Sequence, residues 1–262
     1  MTLANDTKNI VRNMLHLLPE DFGDYTLELD AIDNLSKHHE YHAAMDIYSL
    51  LPENVNVGAE TLCNLALASA KLGKPDETAK FYRMALDNTP DSLRAIIGLA
   101  RLNAADGNES ANIALMEPFV ADNADNQDYL LLLGSAYLAA RQTDKAVEIF
   151  HNLDYISDSN VAKAPLAWAL TLAGDYDNAA LFFADALQEN TSPELFVRNG
   201  IRLWLSGDRH DALQMFESAA GAYSGNDFAA YLRQLISATG NVGIKADLHL
   251  AAEIIRYRKA LK

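Results

Sequence analysis

Residues 130–150, LLLLGSAYLAARQTDKAVEIF, contain the pattern that decides the fold. Small and large apolar residues recur at helical spacing on both sides of a polar turn. They are Leu130, Leu133, Gly134, Tyr137, Ala146 and Phe150. A small residue in the first helix lets a second helix approach closely, and an aromatic ring in the second helix fills the gap. The segment therefore predicts two antiparallel helices joined by a tight turn.

The same arrangement recurs along the chain with a period of 33 or 34 residues. A residue that suits the turn stands at each step, although two of the six are not glycine. The turn positions are His39, Gly73, Gly107, Arg141, Gly174 and Gly207. Five units also repeat a small residue followed four positions later by an aromatic one. These pairs are Ala44 and Tyr48, Thr78 and Tyr82, Ala146 and Phe150, Ala179 and Phe183, and Ala212 and Phe216.

These units resemble the tetratricopeptide repeat, whose signature is W-x2-L-G-x2-Y, then A-x3-F, then P, over about 34 residues. The unit around residues 130–150 matches it well, and so does the unit that begins near 59. The matching residues of that unit are Leu62, Leu65, Ala66, Thr78, Tyr82, Ala85 and Pro90. The resemblance implies an all-α fold, a right-handed superhelix (α-solenoid) of about six to seven helix-turn-helix repeats with terminal capping helices.

The repeats divide the chain into three segments. We expect residues 1–24 to form an N-terminal capping or dimerisation helix over 6–18, and residues 25–226 to form six repeats. The repeats begin near residues 25, 59, 93, 127, 160 and 193. Residues 227–262 predict two further helices, over 227–239 and 244–261, that cap the solenoid, because an end repeat would otherwise expose its hydrophobic face.

The repeat that begins near residue 93 is degenerate. Asn112 and Met116 stand where alanine and an aromatic residue are expected, and Pro118 falls inside the predicted second helix. The boundaries of this repeat, over 93–126, are therefore the least defined.

Composition disfavours several classes of protein. The chain has 262 residues, a formal net charge of −15 and one cysteine. Because an acidic surface repels phosphate, we expect no binding to nucleic acid. No apolar run approaches the roughly 18 residues of a membrane span, and the N-terminus lacks the basic start of a signal peptide. We therefore predict a cytoplasmic protein without membrane insertion.

No arrangement of residues indicates catalysis or a cofactor. The sequence has no phosphate loop, nucleophile elbow or Ser-His-Asp spacing, so we predict that the protein is not an enzyme. The cluster of His38, His39, Glu40 and His42 straddles a predicted turn without a defined ligand geometry, which favours a solvated turn over a metal site. Cys63 is expected to be a small buried apolar residue rather than a nucleophile.

The resemblance also implies a concave groove that is lined by the first helix of each repeat and binds a peptide or helix of a partner protein. The predicted groove is apolar, with arginines that could pair with a ligand carboxylate. Its residues are Leu67, Arg94, Ile97, Arg101, Leu131, Leu138, Trp168, Val197, Arg198, Ile201 and Trp204. For Trp168 and Trp204, packing between repeats is the alternative role. The family's clamp for acidic chaperone tails is not expected, because Leu29, Asp33 and Gly98 replace its residues.

Two functions remain open at this point. The first is a non-catalytic adaptor or chaperone that holds an apolar peptide or helix of another protein. Residues 35–48 are also similar, more weakly, to the first repeat of bacterial secretion chaperones built from tetratricopeptide repeats. The second is a self-associating structural scaffold, a homo-oligomer formed through the N-terminal helix or the groove, because an exposed apolar groove favours association.

Overall fold

A computed structural model describes residues 25–157, 160–222 and 227–238. These residues form an all-α fold, as predicted. The chain divides into two compact units, residues 1–111 and 112–262, which are described in turn. The helices predicted over 6–18 and 244–261 lie outside the described residues. Among the helices that the structure describes, none combines the length and apolar character that crossing a bilayer requires.

Residues 25–111 of unit 1 contain two helical hairpins and the first helix of a third. Its helices are α1 (Thr26–Lys37), α2 (Tyr41–Tyr48), α3 (Ala59–Lys71), α4 (Pro75–Asn88) and α5 (Leu93–Ala105). Helix α1 pairs with α2 and α3 pairs with α4, while α3 also packs on the first hairpin and α5 packs on α4. The core between them is built from Ile32, Ala44, Ile47, Leu62, Leu65, Ala66 and Phe81.

The described residues of unit 2 form three further hairpins and one more helix after them. Helix α6 (Glu109–Met116) crosses the boundary between the units. It is followed by α7 (Gln127–Ala139), α8 (Thr143–Ile156), α9 (Lys163–Ala173), α10 (Tyr176–Glu189), α11 (Pro193–Ser206), α12 (Arg209–Ala220) and α13 (Asp227–Ala238). The second and third of these hairpins pack on the hairpin before them, through α9 on α8 and α11 on α10. Helix α13 lies where the sequence predicts a helix over 227–239.

The turn inside each hairpin contains one residue in the left-handed region. All six positions that the sequence period marks have positive φ, from 61° at Arg141 to 101° at Gly207. In the turn between α7 and α8, two backbone hydrogen bonds close the reversal: Gln142 N–H donates to Tyr137 O at 2.8 Å, and Arg141 N–H donates to Leu138 O at 3.0 Å. This is the Schellman arrangement, which satisfies the last carbonyls of the first helix and reverses the chain.

A close approach of the paired helices depends on two glycines. A Cβ atom at Gly134 or at Gly200 would lie 2.5 Å from the ring of Phe150 or Phe216, respectively. Both rings are fully buried. The aromatic residue of the second helix thus fills the space that the missing side chain leaves in the first.

Tyr82 departs from this arrangement. Its ring lies against Gly98 of the following repeat, and Phe81 supplies the buried ring of unit 1 instead. Phe81 packs edge to face against Tyr48, with the ring centroids 5.0 Å apart. The aromatic residue that the sequence pattern assigned to the inside of the α3–α4 hairpin therefore faces the next helix.

The degenerate repeat has a shortened second helix. Helix α6 ends at Met116, and Pro118 lies in a 3₁₀ turn, Glu117–Phe119, rather than inside a helix. A proline within the helix would lack its N–H donor and clash with the preceding turn. Tyr129 donates its hydroxyl hydrogen to Met116 O. Glu117 accepts hydrogen bonds from Tyr137 Oη at 3.0 Å and from Lys145 Nζ at 2.6 Å, which ties the turn to α7 and α8.

Replacing Gly134 by alanine should destabilise the protein by about 1–3 kcal/mol, since the added methyl group must displace the buried ring of Phe150. Urea unfolding followed by far-UV circular dichroism measures the change. Ser135→Ala is the matched control, because Ser135 is an exposed neighbour in the same helix. An equal midpoint for the two variants would contradict the close approach of α7 and α8.

The Glu117 contacts predict a stability difference that depends on pH. The hydrogen bonds from Lys145 and Tyr137 lower the pKa of Glu117 below its ordinary value of 4.5. A folded-state pKa that is depressed contributes stability above the unfolded value, and this contribution disappears as pH falls through the folded value. Glu117→Gln should therefore lower the thermal midpoint at pH 7. The decrease relative to the wild type should become progressively smaller below a pH of about 4.5. Glu189→Gln serves as the control, and a difference that grows on acidification would contradict the assignment.

Candidate functional site

An open cleft of about 430 Å³ lies in unit 1 between α3, α4 and α5. It is lined by Leu67, Tyr82, Leu93, Arg94, Ile97, Gly98 and Arg101. Four of these residues, Leu67, Arg94, Ile97 and Arg101, belong to the groove predicted from the sequence. The cleft therefore brings together the predicted residues of unit 1.

The spacing of residues along α5 explains why both arginines face the cleft. Arg94, Ile97 and Arg101 are separated by three and four positions, which places them on one face of a helix. Gly98 lies between them, and the absence of a side chain there lets the Tyr82 ring of α4 rest directly on α5. Leu67 of α3 completes a half-buried apolar floor. Sequence reasoning missed Tyr82, because the repeat pattern assigned its ring to a different neighbour.

A ladder of polar side chains joins the first helices of three consecutive hairpins along one edge of this site. Asp33 of α1 accepts hydrogen bonds from Thr61 Oγ1 at 3.0 Å and from Asn64 Nδ2 at 2.8 Å, both on α3. Arg94 Nη2 of α5 then donates to Asn64 Oδ1 at 2.6 Å. Asn64 is buried, so its amide has both a donor and an acceptor partner where water is excluded.

Arg94 also pairs with a carboxylate of its own chain. Its Nη1 donates to Glu60 Oε1 on α3. The Arg94 side chain is 40% exposed and the Glu60 side chain is 73% exposed, so solvent reaches the pair. The guanidinium is thus held by Asn64 on one side and by Glu60 on the other.

The two arginines act on the titratable groups around them. Burial raises the pKa of Tyr82, and the positive charges of Arg94 and Arg101 act in the opposite direction. Burial likewise raises the pKa of the Cys63 thiol, again against the effect of Arg94. Cys63 is fully buried, as expected for a small apolar residue, and a thiol with a raised pKa is a poor nucleophile.

The predicted groove residues of unit 2 lie in a different environment. Val197 and Ile201 are fully buried and Trp168 is 5% exposed, all in one apolar cluster with Phe216. Trp204 and Leu138 are half-buried against the same cluster. Neighbouring residues therefore cover Val197, Ile201 and most of Trp168, whereas part of Trp204 and of Leu138 remains accessible to solvent.

Two predicted residues of unit 2 lie outside that cluster. Arg198 forms an ion pair with Glu194, one helical turn before it, and its guanidinium carbon lies 5.8 Å from the centroid of the Trp168 ring. Leu131 is half-buried on α7. The guanidinium of Arg198 is therefore engaged within the chain by a carboxylate and a ring face.

The histidines at the first turn make contacts within the chain. His38 Nδ1 lies 2.7 Å from Asn34 O, and His39 Nδ1 lies 2.7 Å from the Tyr41 hydroxyl. Within residues 25–157, 160–222 and 227–238, no group of three or more His, Cys, Asp or Glu side chains has an arrangement that could hold a metal ion.

Comparison with known proteins places this architecture. The family model of the tetratricopeptide repeat matches residues 128–154. MamA of strain AMB-1 superposes with a TM-score of 0.56 at 16% identity, over 63% of this chain and 98% of MamA. A thermophilic TPR protein of Thermus thermophilus superposes with a TM-score of 0.52 at 19% identity, over 68% of this chain and 98% of that one.

A third similar structure is YrrB, described as a TPR protein with an unusual peptide-binding site. It superposes with a TM-score of 0.56 at 17% identity, over 67% of this chain and 92% of YrrB. A search of curated protein sequences gives no significant match. The chain thus carries a tetratricopeptide repeat at residues 128–154 and has the α-solenoid fold of tetratricopeptide-repeat proteins.

Proposed function

We propose that the chain is a non-catalytic protein-interaction module, an adaptor or chaperone, whose unit 1 cleft binds a segment of a partner protein. The segment presents an apolar side chain to the cleft floor and a carboxylate to Arg94 and Arg101. The observation that carries the proposal is the presence of an apolar floor and two arginines on one face of α5. A cytoplasmic location and the absence of nucleic acid among the partners are part of the same proposal.

The charge of the cleft supports a ligand with a carboxylate. The whole chain has a formal net charge of −15, whereas the residues that line the cleft comprise two arginines and five uncharged residues. A local positive site on an acidic protein attracts a carboxylate at short range, while the remaining surface repels highly acidic partners. We therefore expect a ligand with one carboxylate next to an apolar side chain rather than an acidic tract.

The Arg94–Glu60 pair also supports a ligand with a carboxylate. An arginine donates through a planar fork that matches the geometry of a carboxylate, and Glu60 already uses one arm of that fork. Because this pair is exposed, its net contribution to stability is small, and an incoming carboxylate can replace Glu60 at little cost. YrrB, which has a similar fold, is described as having a peptide-binding site, and it supports peptide binding by analogy of fold alone.

Substitutions in the cleft should weaken binding without unfolding the chain. Peptides selected from a random display library on the wild-type chain are the ligands, and fluorescence anisotropy measures their affinity. We expect Ile97→Ser and Arg101→Glu each to weaken binding by about tenfold or more, because one removes apolar contact and the other repels the carboxylate. Circular dichroism verifies that both variants keep their helix content.

Two matched variants serve as controls. Arg83→Glu reverses a charge on the exposed face of α4, and Leu181→Ser removes an apolar side chain that is 66% exposed on α10. Both should bind the peptides as the wild type does. Equal loss of binding in the two control variants would contradict the proposal that the peptides bind in the unit 1 cleft. If the wild type instead forms a dimer that Ile97→Ser abolishes in sedimentation, the self-associating scaffold replaces the peptide-binding module.

Removing the charge of Glu60 should strengthen binding. Glu60→Gln frees the Arg94 fork from an internal competitor, so a peptide with a carboxylate should bind about three to ten times more tightly. Glu77→Gln is the control, because Glu77 forms a comparable exposed ion pair with Lys74 at 3.0 Å in the same unit. An amidated or neutral version of the peptide should gain nothing from Glu60→Gln. Weaker binding of the carboxylate peptide to this variant would show that Glu60 belongs to the ligand site instead.

A further inference from the structure

Helix α13 occupies an unusual position in unit 2. Its first residue, Asp227, stands 34 residues after Pro193, so its register is that of the first helix of another repeat. In the preceding repeats, first helices α9 and α11 pack on the second helices α8 and α10 before them. The main helix neighbour of α13 is instead α11, which is itself a first helix.

The last turn of α13 reaches back to an earlier hairpin. Arg141, in the turn between α7 and α8, donates from Nη2 to Ser237 O at 3.3 Å. At the other end of the helix, the ring of Phe228 lies edge to face with Phe216 of α12, with centroids 6.4 Å apart. A helix of 12 residues thus contacts both the first and the third of the three hairpins of this unit.

Among the described side chains of α13, Phe228, Leu232 and Leu235 are buried, with 6%, 1% and 9% exposure. Their spacing of four and three positions places them on one face, where the partly buried Tyr231 also packs, whereas Ala230, Gln234 and Ser237 are exposed. The three buried side chains belong to the same apolar cluster as Trp168, Val197 and Ile201. These are the residues that the sequence predicts as the ligand-binding groove of this unit.

We propose that unit 2 carries a second binding surface, for a helix of a partner protein, and that α13 is its intramolecular occupant. We define the α13 surface as six residues of the apolar cluster that the buried side chains of α13 join, namely Leu138, Trp168, Val197, Ile201, Trp204 and Phe216. The partner is an amphipathic helix with large apolar residues at the spacing of α13, namely F-x3-L-x2-L. The proposal for this surface does not rest on the proposal for the unit 1 cleft.

The helix that already packs on this surface, α13, indicates the chemistry of the partner. An amphipathic helix in an apolar groove is held by anchors at positions i, i+4 and i+7, as Phe228, Leu232 and Leu235 are. Helices shorter than about 12–15 residues are marginal by themselves, so α13 depends on this packing for its stability. A longer partner helix with the same anchor residues buries more apolar surface and can therefore compete with α13 for this surface.

Occupation by α13 has a thermodynamic consequence. A ligand for a site that is open in only a fraction of molecules binds with its intrinsic affinity multiplied by that fraction. A variant in which α13 packs less tightly on this surface should therefore bind a separate helical peptide more tightly than the wild type does. Both tryptophans of the chain, Trp168 and Trp204, lie at the α13 surface, so their emission reports on whether it is covered.

The test uses the full chain and a labelled synthetic peptide with the sequence of residues 227–238, DFAAYLRQLISA. In Leu232→Ser, tryptophan emission should shift to longer wavelength, and the peptide should bind at least about tenfold more tightly than to the wild type. Binding should return the emission to the wild-type wavelength. Gln234→Ser, an exposed position of the same helix, should behave as the wild type. A peptide with serine in place of its phenylalanine and both leucines should not bind.

A milder variant covers the case in which Leu232→Ser lowers the helix content. Arg141→Ala removes only the contact with Ser237, and it should increase peptide affinity about two- to fivefold with no change in circular dichroism. Equal binding of the peptide by the wild type and both variants, or binding by none of them, overturns the proposal. A concentration-dependent dimer of Leu232→Ser that excludes the peptide also overturns it, because the occupant would then be α13 of a second copy.

Discussion

The left-handed residue inside each hairpin is the constraint on which the rest of the structure depends. It closes the end of a first helix and sends the chain back along it, so it fixes which face of that helix meets the second helix. Glycine adopts this conformation freely, whereas His39 and Arg141 carry a cost of about 1–2 kcal/mol. That these two residues keep the conformation shows that packing on both sides of the turn determines it.

Once one face of a first helix is committed to its own hairpin, the opposite face must meet something else. In unit 1 that face is divided between a polar ladder and an open apolar cleft. The ladder from Asp33 through Asn64 to Arg94 sets the first helices side by side, and it holds the Arg94 guanidinium at the edge of the cleft. In unit 2 the corresponding side chains include tryptophan, valine and isoleucine, and they share one apolar cluster with the buried residues of α13. The same fold thus carries an open cleft with two arginines in one unit and a buried apolar cluster in the other.

The parts of this structure that the sequence predicts are those that depend on local spacing. A period of 33 or 34 residues and the small-then-aromatic pattern are visible within any one hairpin, and they predict the helices and their turns. Arg94, Ile97 and Arg101 could be placed on one face because they belong to a single helix. The Arg94–Glu60 pair joins residues 34 positions apart, so only the relative placement of α3 and α5 brings them together.

The burial of Val197 and Ile201 illustrates the same limit. The repeat pattern predicts that both lie on the groove face of a first helix, whereas exposure depends on everything that packs on that face. Helix α13 has the register of another repeat, and nothing in its own sequence distinguishes a capping helix from one that lies across its predecessors. An apolar stripe needs an apolar cover, and a helix of the same chain is at a high effective concentration because it is covalently attached. In unit 2, α13 is therefore the first competitor of the partner helix that we propose.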